Sequence, residues 1–279
     1  MKVRLLTSLG IAVFGLPLLI FSQYIVYPIA LGLLSTIAVW ELLRVFGMHK
    51  RVLLAIPTYL LSALLPFFSY GLFFPSEKQS TYLLIIALAI FAYLIFLAGY
   101  SVLSNGRVRF IDIAKVFAAV TYVTVSFTSM SLLRYMDNGA YVFGLIFVGA
   151  WVSDSFAYFT GRLIGRHKLA PELSPKKTVE GSIGGIVFTV IAFAVYGIII
   201  ECFFSLDANY LALCLTGLAL SLVGQIGDLF ASLIKREHGV KDYSGILPGH
   251  GGIMDRFDSV LAVSPVLLII SILFPLFAI

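Results

Sequence analysis

Charged residues are scarce in this sequence. Only 12% of its 279 residues are Asp, Glu, Lys or Arg, whereas 60% are hydrophobic. Soluble domains carry about 25% charged residues, so this scarcity excludes an ordinary water-soluble globular protein. The apolar residues also occur in repeated runs of about 20, the length of a helix that crosses the ~30 Å hydrocarbon core of a bilayer. The composition therefore predicts an all-α polytopic integral membrane protein.

Cysteines and polar linkers are also few. The two cysteines, Cys202 and Cys214, have a spacing that matches no metal site, and we expect them to be unpaired. No low-complexity segment, clear repeat or linker long enough to separate soluble domains interrupts the sequence. We therefore expect one membrane-embedded unit.

The apolar runs predict nine spans. Gly15-Leu16-Pro17 and Tyr27-Pro28 interrupt the first long apolar stretch, so eight spans are the alternative. The N-terminal MKVR and the run after it lack a convincing small-residue cleavage site, which favours an uncleaved first span over a signal peptide. The predicted spans are residues 4–21, 25–46, 52–74, 80–100, 114–134, 139–162, 182–204, 209–234 and 258–278.

Lysine and arginine predict the orientation of these spans. Of the 19 basic residues, all but Lys78 and Arg134 fall in the N-terminus or in alternate loops on the same side. Because cytoplasmic loops accumulate Lys and Arg, this pattern predicts a cytoplasmic N-terminus and a C-terminus outside. The formal net charge of +5 is then a matter of orientation and does not imply nucleic-acid binding.

Two aspartates stand out, because an ionisable group inside a bilayer costs about 3 kcal/mol or more. Asp154 lies in the sixth span and Asp228 in the eighth, and each precedes a basic residue, Arg162 or Arg236, by eight positions. At ~1.5 Å per residue both carboxylates lie ~12 Å below the cytoplasmic edge. We expect them to share one polar pocket; the alternative is a structural hydrogen bond to a neighbouring helix.

The loop after the sixth span is basic and leads into a glycine-rich helix start. Lys176 and Lys177 are followed by Gly181, Gly184 and Gly185. Glycine-rich turns at helix N-termini cradle phosphate, and lysines neutralise it, so the loop predicts a phosphate site. The alternative is that orientation alone requires the charge, although orientation does not explain the glycines.

The loop before the last span contains LPGHGGIMDRFD at residues 247–258. Asp255 and Asp258 are three apart and face nearly the same way on a helix, so with Asp228 they suit a hard cation such as Mg²⁺. Glycines on both sides of His250 indicate close approach of a ligand, although a lone histidine is more often a simple hydrogen-bonding residue. His250 is too isolated for a zinc site.

Two stretches of the chain match one family in order and chemistry. Residues 232–258 fill each fixed basic, glycine and acidic position of a signature, and the stretch from Asp154 to Gly181, with Ser174-Pro175-Lys176-Lys177-Thr178, is similar to the same proteins. The chain thus resembles the phosphatidate cytidylyltransferases, also called CDP-diglyceride synthases. Ser155 departs mildly, since many members have Thr there. The resemblance covers about residues 151–259 and is far more specific than a lone glycine-rich loop.

The resemblance implies a Mg²⁺-dependent transfer of the cytidylyl group from CTP to phosphatidic acid in a homodimeric membrane enzyme, giving CDP-diacylglycerol and pyrophosphate. It also implies a dinuclear site for Mg²⁺ and K⁺. By the matching positions Asp228 and Asp255 bind metal, and Asp154 and Asp258 complete the predicted catalytic set. The predicted substrate- and phosphate-binding residues are Lys176, Lys177, Lys235, Arg236, Lys241, His250 and Arg256.

The residues fit this chemistry, with two rivals. A phosphate monoester is mostly dianionic near neutral pH, so it needs little help from a general base, and the protein must instead position and neutralise anions. One rival is a kinase that transfers the γ-phosphoryl group of CTP to a lipid alcohol such as dolichol or phytol, which needs a base. The other is an ion-coupled transporter, which predicts polar residues at all depths.

We accordingly divide the chain by its motifs. Residues 1–110 hold the first four spans, whose role the sequence does not indicate, and residues 111–279 hold the catalytic region with spans five to nine. We expect a multi-pass protein of the cell inner (plasma) membrane whose active site faces the cytoplasm and meets CTP and membrane lipid.

Overall fold

The computed structural model describes residues 15, 17–69 and 79–278. Helices dominate these residues, and the sheets among them are two antiparallel pairs of short strands. The helices are α1 (Val26–Val45), α2 (Val52–Phe68), α3 (Gln79–Leu103), α4 (Phe110–Tyr135), α5 (Gly139–Phe147), α6 (Ser153–Ile164), α7 (Val179–Phe204), α8 (Tyr210–Glu237) and α9 (Met254–Leu273). The strands are β1 (Lys168–Ala170), β2 (Ser174–Thr178), β3 (Asp207–Ala208) and β4 (Phe277–Ala278).

Seven helices in the described part of the chain are long and apolar enough to cross a membrane. They correspond to the predicted second span and to the fourth through ninth. Helices α5 and α6, joined by the π-helical segment Val148–Val152, together form the sixth. Helix α2 has 17 residues and contains Pro57 and Pro66, and residues 70–74 of the predicted span 52–74 lie outside the described residues. The prediction of an all-α polytopic membrane protein is confirmed. The predicted span 4–21 lies largely outside the described residues.

Contacts divide the described residues into two compact units, where the sequence predicts one. The first contains residues up to 135 together with residues 240–256, and the second contains residues 136–239 and 257 onwards. In the first unit α1 packs on α2 and α4, and in the second α7 packs on α6 and α8. The reason for this division is that the loop after α8 returns to the N-terminal helices and hydrogen-bonds there. The motif-based boundary at residue 110 stays a prediction.

Small residues let α6 and α7 approach closely. A Cβ at Gly181 would lie 2.6 Å from the carbonyl oxygen of Ala157, and one at Gly185 would lie 2.9 Å from that of Ser153. A Cβ at Gly184 would overlap the side chain of Thr160. Small residues at such positions are typical of tightly packed membrane helices. The interpretation of these glycines as a phosphate cradle is therefore wrong: they are buried in a helix contact.

A short hairpin precedes α7. Strands β1 and β2 pair antiparallel, with Lys168 opposite Thr178. The Thr178 hydroxyl then accepts a hydrogen bond from the backbone N–H of Gly181 at 3.1 Å, which caps the start of α7. The hairpin therefore ends in a fixed position within the second unit and holds Lys177, the residue before the cap, in place.

Candidate active site

Three of the predicted acidic residues and one predicted lysine meet in the second unit. Lys177, at the end of β2, forms an ion pair with Asp228 of α8. It also lies close enough to Asp154 of α6 to interact with its charge. Asp258 of α9 hydrogen-bonds with Asp228 and interacts with the charge of Asp154. Four different elements thus contribute one charged side chain each to a single polar cluster.

The approach of α8 and α9 depends on Gly227, the residue before Asp228. A Cβ at position 227 would lie 2.9 Å from the backbone oxygen of Asp258 and 2.5 Å from the Cβ of Ala262. No other residue leaves room for this crossing. The glycine therefore allows Asp228 and Asp258 to come within hydrogen-bonding distance.

The cluster is only partly enclosed. The side chains of Lys177 and Asp228 are 23% and 25% exposed and Asp154 is exposed, whereas the ammonium nitrogen of Lys177 is buried. Successive side chains of a strand point to opposite sides, and accordingly Lys176 is exposed while Lys177 turns inward to Asp228. Charges in such a partly enclosed site interact more strongly than charges on an open surface.

Uncharged polar residues in the second unit support the cluster. The hydroxyl of Ser259 donates to Asp154 Oδ2 at 3.3 Å, and Ser259 is itself buried. Beside Asp154, Ser153 and Ser221 share a hydrogen bond of 2.8 Å, and Gln225 donates to Ser221 at 3.3 Å. These serines and Gln225 are not among the site residues that the sequence predicts. The available signal was their polarity inside otherwise apolar spans, since such groups need partners there.

The cluster has the chemistry of a cation site that a ligand completes. Two carboxyl groups within hydrogen-bonding distance repel each other when both are ionised, and this repulsion between Asp228 and Asp258 favours a shared proton or a cation in addition to the Lys177 ammonium group. No group of three or more His, Cys, Asp or Glu within the described ranges is arranged to hold a metal alone. Mg²⁺ commonly uses only one or two carboxylates, with waters and substrate phosphates supplying the rest. These residues fit such an ion.

Asp255 belongs to the first unit and organises the loop of residues 243–256, which we call the signature loop. Its side chain is 8% exposed, and Oδ2 accepts hydrogen bonds from the backbone N–H groups of Tyr243 and Gly252, both at 2.9 Å. Gly249 and Gly251 have φ of 77° and 82°, values that favour glycine. Gly249 and Gly251 therefore serve the loop's own conformation, and close approach of a ligand to His250 stays a prediction.

The remaining predicted residues lie in two groups. Lys235 and Arg236 are in the last turn of α8 in the second unit, where Lys235 is half-buried and Arg236 exposed. Lys241, His250 and Arg256 belong to the first unit; His250 is half-buried and the other two are exposed. Joint metal binding by Asp228 and Asp255 stays a prediction.

Known proteins are similar to this chain over nearly its whole length. The sequence model described as "Cytidylyltransferase family" matches residues 2–274. The chain is 38% identical over 272 residues to a phosphatidate cytidylyltransferase of Staphylococcus epidermidis (strain ATCC 35984), which covers 98% of this chain and 99% of the relative. It is 37% identical over 279 residues to that of Bacillus subtilis (strain 168), with 98% of each covered. The protein of the same name from Staphylococcus aureus (strain COL) is 36% identical over 275 residues, with 98% and 99% covered.

Proposed function

Because the chain belongs to the cytidylyltransferase family, we propose that it transfers the cytidylyl group of CTP to phosphatidic acid, giving CDP-diacylglycerol and pyrophosphate. The curated relatives carry the name of this activity and match along nearly the whole chain. One observation supports the assignment of the reaction to a site: Lys177 meets Asp154, Asp228 and Asp258 in one partly exposed cluster.

The reaction brings two anions together. A phosphate oxygen of phosphatidic acid attacks the α-phosphorus of CTP, a new P–O bond forms, and the bond to the departing pyrophosphate breaks. The lipid phosphate is already largely dianionic at neutral pH, so the reaction requires no proton acceptor among the three aspartates. The contribution of the protein is then to hold both phosphates in line and to offset their charge.

Lys177 is the residue best suited to offset that charge. Its ammonium group has three N–H donors, and the ion pair with Asp228 holds it within the cluster rather than in solvent. Thr178, the next residue, caps α7 and limits how far the lysine backbone can move. We assign Lys177 to a phosphate oxygen of one substrate and Asp154, held by Ser259, to the electrostatic balance of the cluster.

The acidic residues are assigned to Mg²⁺. Asp228 and Asp258 are adjacent carboxylates of the kind that this ion uses, and the family resemblance adds Asp255 as a ligand. When bound, the ion polarises and neutralises phosphate oxygens. A second ion, K⁺, is proposed from the resemblance alone.

The basic residues indicate which groups bind phosphate and which side of the membrane the site faces. We propose that Lys235 and Arg236 at the end of α8, together with Lys176, Lys241, His250 and Arg256, bind the pyrophosphate or lipid phosphate. The excess of Lys and Arg on one side supports a cytoplasmic N-terminus and a cytoplasmic active site in the inner membrane. The homodimer is likewise proposed from the resemblance.

Labelled CTP tests the function directly. Purified protein is incubated with phosphatidic acid and CTP carrying label in either the α- or the γ-phosphate, with and without Mg²⁺. We expect α-label in the lipid product, γ-label in released pyrophosphate, and no turnover without the divalent ion. Transfer of γ-label to a lipid alcohol would instead identify a lipid kinase, and no transfer of either label would refute the proposal.

Neutralising the acids tests the site. We expect Asp228→Asn and Asp258→Asn each to lower kcat by about 100-fold or more, because each removes a carboxylate that would hold the Mg²⁺ ion, and that ion would neutralise the reacting phosphates. Asp255→Asn tests the ligand that the resemblance adds. The matched control is Asp207→Asn, an exposed aspartate in β3 that should retain wild-type turnover. Equal activity in the control and in the Asp228 and Asp258 variants would remove the cluster from the mechanism.

A further inference from the structure

A buried glutamate of α1 contacts the signature loop. Glu41 has no exposed surface, and it lies in a predominantly apolar helix. Its Oε1 accepts hydrogen bonds from the Ser244 hydroxyl at 2.5 Å and from the backbone N–H of Ile253 at 2.9 Å. Its Oε2 accepts the backbone N–H of Met254 at 2.8 Å. All three donors belong to the signature loop, more than 200 positions away in the sequence.

These contacts satisfy amides that a helix leaves without partners. The first N–H groups of any α-helix have no carbonyl in the preceding turn, and they carry the positive end of the helix dipole. Helix α9 begins at Met254, and the N–H groups of Gly252, Ile253 and Met254 all point to carboxylates. Asp255 accepts the first of them, and Glu41 accepts the other two.

Gly252 fits this arrangement sterically. A Cβ at this position would lie 2.7 Å from Glu41 Oε2 and 2.6 Å from its carboxyl carbon. Gly252 does not have a positive φ, so its backbone conformation does not by itself require glycine. The absence of a side chain is explained by the space that the Glu41 carboxylate occupies.

Few other groups meet these requirements. A carboxylate buried without donors is strongly unfavourable, so Glu41 depends on the loop as much as the loop depends on Glu41. Glutamine at position 41 would have only one acceptor oxygen and would direct N–H donors at a backbone N–H. The interaction is therefore specific for a carboxyl group that reaches this loop from α1.

We propose that Glu41 is a positioning residue of the enzyme, which sets the conformation of the signature loop and the start of the helix that carries Asp255 and Asp258. It acts through the backbone of the loop and is not assigned to substrate. The expected loss of turnover on replacing Glu41 rests on the function proposed above. The expected change in the conformation of the signature loop does not depend on that function.

The test measures loop order and turnover separately. Hydrogen–deuterium exchange of the purified full-length protein is followed in peptides that cover residues 243–256, for wild type, Glu41→Gln, Ser244→Ala and the control Ser35→Ala. Ser35 is on the same helix and fully buried, and its hydroxyl has no hydrogen-bond partner among the described residues. Kinetic constants for CTP are measured on the same preparations.

We expect Glu41→Gln to exchange about tenfold faster in residues 243–256, with peptides of α7 and α8 unchanged. Turnover should fall by about 100-fold in kcat with KM for CTP within about threefold, since misplaced groups impair reaction more than binding. Ser244→Ala loses one of the three donors, so its exchange rate and its turnover should lie between those of wild type and Glu41→Gln. If Glu41→Gln does not fold, Ser244→Ala alone is compared with wild type. Ser35→Ala should match wild type.

Two results would overturn the proposal. One is unchanged exchange in residues 243–256 of both variants. The other is faster exchange throughout the chain to the same extent, which would show a general loss of stability. If wild type fails to transfer cytidylyl groups while exchange changes as expected, the proposed function is refuted and the role of Glu41 in the loop is upheld.

Discussion

Replacing Lys177 measures how much its ion pair with Asp228 stabilises the protein. Exposed ion pairs contribute about 0–1 kcal/mol, whereas removing one partner of a buried pair costs about 3–5 kcal/mol. The side chains of Lys177 and Asp228 are 23% and 25% exposed, which is between these limits. We therefore expect Lys177→Gln to lower the free energy of unfolding by about 2–3 kcal/mol. At about 2–4 °C per kcal/mol, this lowers Tm by roughly 5–10 °C.

The effect of Mg²⁺ on the Tm of Lys177→Gln is a second measurement on the same variant. Without the ammonium group, Asp228 is left beside Asp154 and Asp258, so the acidic cluster should bind a divalent cation more tightly. A tenfold lower Kd adds about 1.4 kcal/mol of stabilisation at excess ligand. Added Mg²⁺ should therefore raise Tm of Lys177→Gln by about 3–5 °C more than it raises Tm of wild type.

The assay is thermal unfolding of the purified protein in detergent, followed by intrinsic fluorescence with and without Mg²⁺. Lys168→Gln is the control, since it removes an exposed lysine from the same hairpin. Adding Asp228→Asn to Lys177→Gln should cost little further stability, because the two residues are partners. The reasoning is refuted if Lys177→Gln behaves like Lys168→Gln, or if its effect adds fully to that of Asp228→Asn.

Two glycine substitutions test the packing around the candidate site, each by Tm and turnover. Gly184→Ala should lower the free energy of unfolding by about 1–3 kcal/mol, because its methyl group would overlap Thr160, whereas Gly99→Ala, with no atom within 4 Å, should be neutral or slightly stabilising. Equal Tm for these two variants would contradict the α6–α7 contact. Gly252→Ala should displace the Glu41 carboxylate and lower kcat by about tenfold or more, and the idea fails if kcat is unchanged.

The sequence rules succeeded where the signal is local. Runs of about 20 apolar residues predicted the helices from α3 to α9 to within several residues, because spanning a bilayer requires that length. The matching depths of Asp154 and Asp228 predicted their proximity, because both distances follow from the regular rise of a helix. The sequence did not predict that a helix continues through Pro57 and Pro66. It also did not predict the hairpin between α6 and α7, since a short loop has no such period.

The same rules missed Glu41 although its signal was present. It is an ionisable residue inside a predicted span, the feature that identified Asp154 and Asp228. It lies near the end of the span, three residues before Arg44, and so it resembles the charged residues that commonly lie at the membrane surface where a span ends. Only its complete burial distinguishes it from such a residue.

By itself the sequence determined the class of the protein, the approximate positions of its helices and the family to which it belongs. These properties depend on local hydrophobicity, on the energetic cost of charge in lipid and on residues in a fixed order, all of which can be read along one chain. Only the tertiary structure decided that Lys177 pairs with Asp228, that three glycines serve a helix contact, and that Glu41 holds the start of α9. The last contact joins residues 213 positions apart, and such pairing is set by how whole helices pack, which no local pattern encodes.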